Sequence, residues 1–171
     1  MNLGKMDHYT LIVENAEKSA NFHINVLGFK FLRIQGLNTG TVAEGQVDMR
    51  NYILQSPGEE SCICVITQGL NENTIFSKYL KKYGEGVHHI GYRVNKLEDY
   101  FTSLKTNFAV KFTSERTTID PLTGLHQVFI AKEHAGYFIE LIERPDNMNW
   151  DLFVDKNMAD LASTMQPYVK D

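Results

Sequence analysis

Two stretches of the chain are extended apolar runs that contain β-branched or aromatic residues, as β-strands do, namely "DHYTLIV" (7–13) and "HHIGYRV" (88–94). Each is followed by apolar residues three or four positions apart, which is the spacing of a buried helical face. These residues are Ala16, Ala20, Ile24 and Leu27 after the first stretch, and Leu97, Phe101, Leu104 and Phe108 after the second. The pattern therefore predicts a strand followed by a helix at two places.

The two places are related by an internal repeat. Laying each residue over the one 81 positions later aligns residues 7–31 with 88–112 without a gap and puts His8 on His89. Few positions are identical, but the order of strand-like and helix-like segments is the same. An internal repeat of this kind indicates two copies of one supersecondary unit.

The ends of the two copies also correspond. "SCICVI" (61–66) lies over "YFIELI" (137–142), and each run follows a turn that would join two antiparallel strands. Each half therefore reads as a strand, a helix and three strands. We expect an α+β fold in which two βαβββ modules, 6–70 and 86–144, are related by pseudo-twofold symmetry. They would form a half-open barrel around a cleft, in one domain spanning 1–146.

The last part of the chain, 147–171, is predicted to be a C-terminal amphipathic helix. Its apolar residues recur every three or four positions, and Pro167 lies near its end. We expect it to pack on the sheet or on another subunit, with a lid over the cleft as the alternative. The apolar residues are Trp150, Val154, Met158, Leu161 and Met165.

Composition narrows the class of protein. The 171 residues are 43% hydrophobic and 22% charged, which suits one compact domain. The N-terminus lacks the apolar stretch of a secretory signal, and no apolar run is long enough to span a membrane, so we expect a cytoplasmic protein. With a net charge of −4 and scattered basic residues, nucleic acid is not an expected partner. Cys62 and Cys64 are expected to be reduced. Exposed sheet edges and the methionine-rich tail predict a homodimer.

Three residues are candidate metal ligands. His8 and His89 occupy equivalent positions in the repeat, and Glu140 is a carboxylate inside the apolar run "YFIELI". A buried carboxylate needs a proton, an arginine or a metal as its partner. Two imidazoles and a carboxylate form a facial triad that leaves coordination positions open. By the repeat, the position opposite Glu140 is Cys64, which is either a fourth ligand or an open site.

A purely structural interpretation competes with the metal site. Most strand histidines are satisfied core residues, and Glu140 could pair with Arg93 instead. His88, the direct neighbour of His89, is expected to face solvent. Three unusual residues at positions that the repeat predicts favour the metal site.

These residues resemble the vicinal oxygen chelate superfamily, whose proteins pair βαβββ modules around a divalent metal; the resemblance covers about 6–144. Within it, "VENAEKSANFHINVLGFKFL", "NYILQ", "GEGVHHIGYRV" and "LHQVFI" before "YFIELIER" resemble the 4-hydroxyphenylpyruvate dioxygenase family. That resemblance implies a dioxygenase acting on a small chelating substrate such as a 2-oxo acid. Its ligands to Fe(II) would be His8, His89 and Glu140, with Gln127 as an amide that contacts the substrate. Mn, Co, Ni or Zn would also suit these ligands. That family carries four modules, whereas this chain has two.

In the dioxygenase interpretation, Phe129 and Phe138 are candidate walls of the substrate site, and Arg93 is a candidate partner for a substrate carboxylate. The segments "NTIFSKYLKKYGEGVHHIGYRV" and "FIELIE" also resemble the methylmalonyl-CoA epimerase family, which has two modules. That resemblance implies a metal-dependent acyl-CoA epimerase with Glu44 as its acid/base carboxylate. A third alternative is a non-catalytic binding protein for a small molecule, because the same architecture also serves in such proteins.

Overall fold

The structure, a computed structural model, describes residues 3–120, 123–145 and 155–170. Its strands are β1 (Met6–Ile12), β2 (Lys30–Leu37), β3 (Met49–Gln55), β4 (Ile63–Gly69), β5 (Gly86–Arg93), β6 (Thr118–Ile119), β7 (His126–Ile130) and β8 (Phe138–Glu143). Its α-helices are α1 (Ala16–Asn25), α2 (Ile75–Tyr83), α3 (Leu97–Phe108) and α4 (Asp155–Val169). A short 3-10 turn at Lys132–His134 precedes β8.

The predicted α+β class is confirmed. Among the described residues, eight strands form a mixed sheet that does not close on itself, accompanied by four helices. The order strand, helix and three strands occurs twice, as β1-α1-β2-β3-β4 and as β5-α3-β6-β7-β8. We call these groups the first and the second module. The residue boundaries of the domain and modules stay predictions.

Contacts divide the elements into two compact units. In one unit, which takes the chain from His8 through α2 together with α4, the strand order is β2-β3-β4-β1. Here β1 pairs with β4 in parallel, and the other neighbours are antiparallel. Helix α1 covers one face of these strands, where its Ala16 and Ala20 lie in a cluster with Tyr52, Leu54 and Ile66.

The other unit takes the chain up to Asp7 together with β5, α3 and the strands that follow. Its strand order is β5-β8-β7-β6, with β5 parallel to β8 and the rest antiparallel. Helix α3 covers one face, and the core there contains Leu97, Phe101, Val128 and Leu141. In both units a helix covers one face of the strands, so a functional site would lie on the other face.

The starts of α1 and α3 are capped in different ways. Asn15 caps α1 in the usual manner, with its side-chain oxygen accepting a hydrogen bond from the Lys18 N–H at 2.9 Å. The N-cap of α3 is Lys96, whose backbone lies in the left-handed region and whose side chain makes no capping hydrogen bond. Glu143 of β8 serves instead, because its carboxylate accepts from the N–H groups of Lys96 and Leu97, both at 2.9 Å. Burial raises the pKa of Glu143, but these two hydrogen bonds, together with the nearby His126, outweigh it and leave the pKa lowered.

The predicted C-terminal helix is present as α4, with Pro167 inside its last turn. It packs on α2, where Met165 is buried and the Tyr83 hydroxyl donates to the Tyr168 carbonyl at 2.8 Å. Trp150 and Val154 lie outside the described residues, as do the side chains of Met158 and Leu161. Within the described part of the chain, no helix has both the length and the apolar character needed to cross a membrane.

Candidate metal centre

His89 and Glu140 meet on the sheet face opposite α3. In the parallel pairing of β5 with β8, His89 lies beside Phe138 and Gly91 lies beside Glu140. Side chains beside each other point to the same face, so His89 and Glu140 are diagonal neighbours on one face. The His89 Nε2 lies 3.7 Å from the Glu140 Oε2, and the two side chains are 8% and 3% exposed. A carboxylate is thus buried next to an imidazole.

The same face of the second module carries the other candidate residues of β7 and β8. Phe129 lies beside Glu140 and Gln127 beside Ile142 in the pairing of β7 with β8. The Phe129 ring contacts the His89 ring edge-on, with the ring centres 5.3 Å apart. Phe129, Phe138 and Gln127 are all buried. The surroundings of the carboxylate are therefore mostly aromatic, with one buried amide.

His8 belongs to the same ligand group. It lies near the start of β1, is 1% exposed, and points to the face that carries Ile63 of β4. Among the residues that the structure describes, one group of histidine, cysteine and acidic side chains could hold a metal ion: His8, His89 and Glu140. One ligand atom from each side chain lies within 4.8 Å of the others, and all three residues are buried.

This donor set fits a divalent metal. Two imidazole nitrogens and one carboxylate oxygen are the ligands that Fe(II), Mn, Co, Ni and Zn accept, and three protein ligands leave coordination positions open. A positive ion would also compensate the negative charge of Glu140 in surroundings that water hardly reaches. The chemistry of the residues is therefore consistent with a metal centre of the facial-triad type.

Arg93 forms an ion pair within the chain, and its role as a substrate-binding residue stays a prediction. Its Nε lies 2.6 Å from the Asp7 Oδ2, and the Asp7 side chain is 3% exposed. Arg144 pairs with the same carboxylate, with its Nη2 2.8 Å from the Asp7 Oδ1. Arg93 is therefore engaged by a buried carboxylate of the chain and is also not the partner of Glu140.

The prediction of Cys64 as a fourth ligand or open site is wrong, because the sequence alignment of β4 with β8 is shifted by one residue. In β5 and β8, Gly91 lies beside Glu140; in β1 and β4, the equivalent Thr10 lies beside Val65. The residue equivalent to Glu140 is thus Val65. A shift of one residue along a strand moves a side chain to the opposite face.

Cys64 accordingly lies on the helix-covered face of the first module. It is fully buried in the cluster that contains Ala16 and Ala20 of α1. Burial raises the pKa of the Cys64 thiol to about 12, although a hydrogen bond with Tyr9 acts in the opposite direction. Burial likewise raises the pKa of the Tyr9 phenol. A thiol held in its neutral form is a poor metal ligand.

Glu44, the candidate acid/base residue, lies on an exposed turn between β2 and β3. The Gln46 N–H closes this turn by donating to the Ala43 carbonyl at 3.1 Å. The nearby Asp48 is buried and accepts hydrogen bonds from the hydroxyl and N–H groups of Thr39 and Thr41. Burial raises the pKa of Asp48, but these hydrogen bonds lower it further than burial raises it. Asp48 therefore fixes the loop on which Glu44 lies.

The prediction that His88 faces solvent is wrong. It is 1% exposed, and its ring contacts the Tyr79 and Phe76 rings of α2, with ring centres 4.7 and 5.8 Å away. Helix α2 has no counterpart in the repeat, so the repeat gives no sign that this face of β5 is covered. The alternation of β5 does place His88 and His89 on opposite faces, as expected.

Sequence reasoning missed Asn51, a polar residue on the face of the first module that α1 does not cover. It lies beside Thr67 in the pairing of β3 with β4, as Gln127 lies beside Ile142 in the second module. Asn51 is 2% exposed, and its side-chain oxygen accepts a hydrogen bond from the Thr67 hydroxyl at 2.8 Å. Asn51 corresponds to Gln127 in the repeat, and this correspondence is the signal that could have identified it.

Comparison with known proteins agrees with this fold. The model of the glyoxalase/bleomycin resistance protein/dioxygenase superfamily matches residues 5–141. The chain belongs to this superfamily. The match extends from the start of β1 into β8 and so includes both histidines and the glutamate of the candidate centre.

Relatives within the superfamily include a dioxygenase. The chain is 28% identical over 145 residues to a 4-hydroxyphenylpyruvate dioxygenase from Aspergillus fumigatus, which covers 81% of this chain. It spans only 36% of the length of that curated relative. The likeness therefore concerns about a third of the dioxygenase.

Solved structures of the same fold include epimerases. A methylmalonyl-CoA epimerase from Mycobacterium tuberculosis matches with a TM-score of 0.62 at 22% identity, covering 82% of this chain and 87% of its own. A methylmalonyl-CoA epimerase from Streptomyces coelicolor, in complex with 2-nitronate-propionyl-CoA, matches with a TM-score of 0.64 at 19% identity, covering 84% and 99%. At these identities the likeness establishes the fold.

Proposed function

We propose that the protein is a metal-dependent dioxygenase-like enzyme that acts on a small chelating substrate such as a 2-oxo acid. His8, His89 and Glu140 would hold the metal, with Fe(II) as the native ion. The observation that carries this proposal is the buried group of two imidazoles and one carboxylate, with Val65 where a fourth ligand would stand. Three protein ligands leave room for a bidentate substrate and for dioxygen.

A bound Fe(II) would polarise the substrate oxygens and supply the electrons that activate dioxygen. The residues of the chain have three other tasks. Glu140 and the two histidines would hold the metal. Phe129, packed on the His89 ring, keeps that imidazole in place and water away from it. Low access of water strengthens the electrostatic interactions within the site.

Gln127 is the candidate substrate-binding amide. It is buried on the face that carries Glu140, one strand away, and it lies among apolar side chains. Its side-chain N–H groups can donate to a substrate oxygen, which a carboxylate in the same place could not do. Phe138 is fully buried beside His89 and would act as a supporting residue rather than an exposed wall.

We also propose a homodimer in a reducing compartment. In the strand order of its own unit, β2 is an outermost strand, and it exposes the apolar side chains of Phe31 and Ile34. Exposed edge strands tend to pair with other chains unless they are covered. Both cysteines are free, which suits a reducing environment.

Oxygen uptake tests the reaction. Protein purified without oxygen and loaded with Fe(II) would be mixed with a panel of aryl and alkyl 2-oxo acids, with His89→Ala measured alongside. We expect uptake that needs iron, substrate and His89. Stoichiometric iron without oxygen uptake on any member of the panel would contradict the dioxygenase and favour the acyl-CoA epimerase.

The alternative is a metal-dependent acyl-CoA epimerase, which the likeness to the epimerase structures favours. Here Glu44 would remove the α-proton of a thioester whose carbonyl the metal polarises. Exchange of the α-proton in deuterium oxide, in wild type and Glu44→Gln, tests it. Exchange that Glu44→Gln abolishes would support the epimerase, and the same exchange in both proteins would remove Glu44 from the reaction. A protein that binds neither metal nor oxygen would indicate the non-catalytic binding alternative.

A further inference from the structure

We propose that Val65 is a specificity-determining residue: it withholds a fourth protein ligand from the metal centre and presents an aliphatic surface beside His8 to a chelating ligand with an apolar group. This inference rests on the proposed metal centre and goes beyond it by assigning the residue that keeps a coordination position open. A single substitution at Val65 would then convert the centre from three protein ligands to four.

The argument begins with the two parallel strand pairs. In the second module, His89 precedes Gly91 by two residues, and Gly91 lies beside Glu140. In the first module, His8 precedes Thr10 by two residues, and Thr10 lies beside Val65. The backbone relation of His8 to Val65 therefore repeats that of His89 to Glu140.

The second module shows how far a side chain at this position reaches. Its imidazole and carboxylate come within 3.7 Å of each other although their residues are diagonal neighbours. A carboxylate at position 65 would approach His8 in the same way. Valine has no donor atom, so position 65 is filled by an aliphatic side chain that cannot bind a metal.

The neighbours of Val65 are also apolar. Ile53 and Ile63 form a buried cluster with it, and Leu32 packs against the cluster. Val65 and Ile63 are each 4% exposed, and Ile53 is fully buried. Because both Ile63 and Val65 lie on the strand face of His8, an apolar group is favoured there and a charged group would be desolvated without compensation.

The environment makes the substitution Val65→Glu informative. Without a metal, the new carboxylate would be buried among apolar side chains with only the His8 imidazole near it, which we expect to lower the melting temperature by roughly 10 °C. With a metal, it becomes a fourth ligand. Cys64→Glu is the matched control, because it places the same carboxylate one residue away and on the opposite face of β4. Val65→Gln offers a neutral ligand that avoids the cost of a buried charge.

The experiment titrates wild type and the three variants with Co(II), recording the absorption spectrum, the dissociation constant and the melting temperature with and without the ion. We expect Val65→Glu and Val65→Gln to bind Co(II) roughly 10–100-fold more tightly than wild type, with a changed spectrum. Co(II) should restore the melting temperature of Val65→Glu and leave that of Cys64→Glu low. If Val65→Glu fails to fold, the affinity and spectrum of Val65→Gln decide the question.

A second measurement addresses ligand specificity with two probes that share a chelating head. Wild type loaded with Co(II) should bind 4-methyl-2-oxopentanoate more tightly than 2-oxoglutarate, and Val65→Gln should weaken both. Equal binding of the two probes by wild type, or no gain in Co(II) affinity in either Val65 variant, would overturn the inference. A wild type that takes up no Co(II) would instead overturn the proposed metal centre.

Discussion

The His89 Nε2 and the Glu140 Oε2 lie 3.7 Å apart on the face of the second module that α3 does not cover. Both side chains are nearly inaccessible to solvent. Two interpretations fit this pair: a histidine and a glutamate that stabilise each other as ions, and two ligands arranged for a metal. They differ in what the removal of the charge of Glu140 does to the folded protein.

Glu140→Gln separates the two interpretations. If Glu140 is a metal ligand, its neutralisation should leave the metal-free protein as stable as wild type or slightly more stable, since it removes a buried charge. Metal at about 100 times its dissociation constant should stabilise wild type by about 2.7 kcal/mol and leave the variant unchanged. Urea denaturation with and without Co(II) measures both effects. A metal-independent loss of about 3–5 kcal/mol would identify an ion pair instead.

Asp7→Ala should be among the most destabilising substitutions in this part of the protein. It would leave Arg144, whose side chain is 6% exposed, without the carboxylate that it contacts at 2.8 Å. A buried charge that loses its partner costs about 3–5 kcal/mol. Arg93→Ala should cost less than about 1 kcal/mol, because Arg93 is 39% exposed and solvent screens its charge.

The same pair of variants tests whether Arg93 binds a substrate. If its role is the ion pair with Asp7, Arg93→Ala should change the urea midpoint slightly and leave KM for an active 2-oxo acid unchanged. A large rise in KM with unchanged stability would return Arg93 to the substrate site. Glu115→Gln, at an exposed ion pair with Lys105, serves as a control that should change neither.

Stability should fall at alkaline pH because of Cys64 and Tyr9. Burial raises the pKa of the Cys64 thiol from 9.0 to about 12, so folding favours the neutral thiol. Its contribution to stability is complete below pH 9 and is lost as the pH rises toward about 12. Each such group weakens folding by up to about 1.4 kcal/mol per pH unit in that window.

Urea midpoints between pH 7.5 and 10 measure this effect. Cys64→Ala should lose less stability over the range than wild type, while its affinity for Co(II) stays that of wild type. An equal fall in both proteins would show that the thiol does not titrate on unfolding. Weaker Co(II) binding by Cys64→Ala would return this residue to the metal centre.

Met165→Ala tests the role of α4. Met165 is buried where α4 packs on α2, so the substitution should cost about 2–5 kcal/mol. Gln166→Ala, one residue along the same helix, should change stability by less than about 0.5 kcal/mol. Thermal unfolding checks both variants. A change in turnover without a change in stability would instead favour a lid.

Much of the fold follows from the sequence because its main signals are local. The β-branched and aromatic residues of β1 and β5 and the helical spacing of Ala16, Ala20 and Ile24 are visible within short stretches of the sequence. His8 and His89 could be equated because their copies align without a gap. The order of elements in each module then follows from the repeat.

The errors arise where tertiary pairing decides. The two copies of the repeat do not align without a gap as far as their last strands, β4 and β8. Only the pairing of β4 with β1 shows that Val65, not Cys64, corresponds to Glu140. His88 is buried by a helix outside the repeat, and the ion pair of Arg93 joins it to Asp7, 86 residues earlier in the chain. Sequence pattern carries no information on such long-range contacts.

The most direct test of the metal centre is a Co(II) titration of wild type, His89→Ala and His126→Ala, followed by absorption and elemental analysis. His126 is the control, because its ring faces Glu143 and Glu98. We predict one ion per chain in wild type and in His126→Ala. Affinity should be more than about 100-fold weaker in His89→Ala, since loss of an outer-shell partner alone costs roughly 10–100-fold. Equal binding by wild type and His89→Ala, or no binding by wild type, would contradict the metal centre.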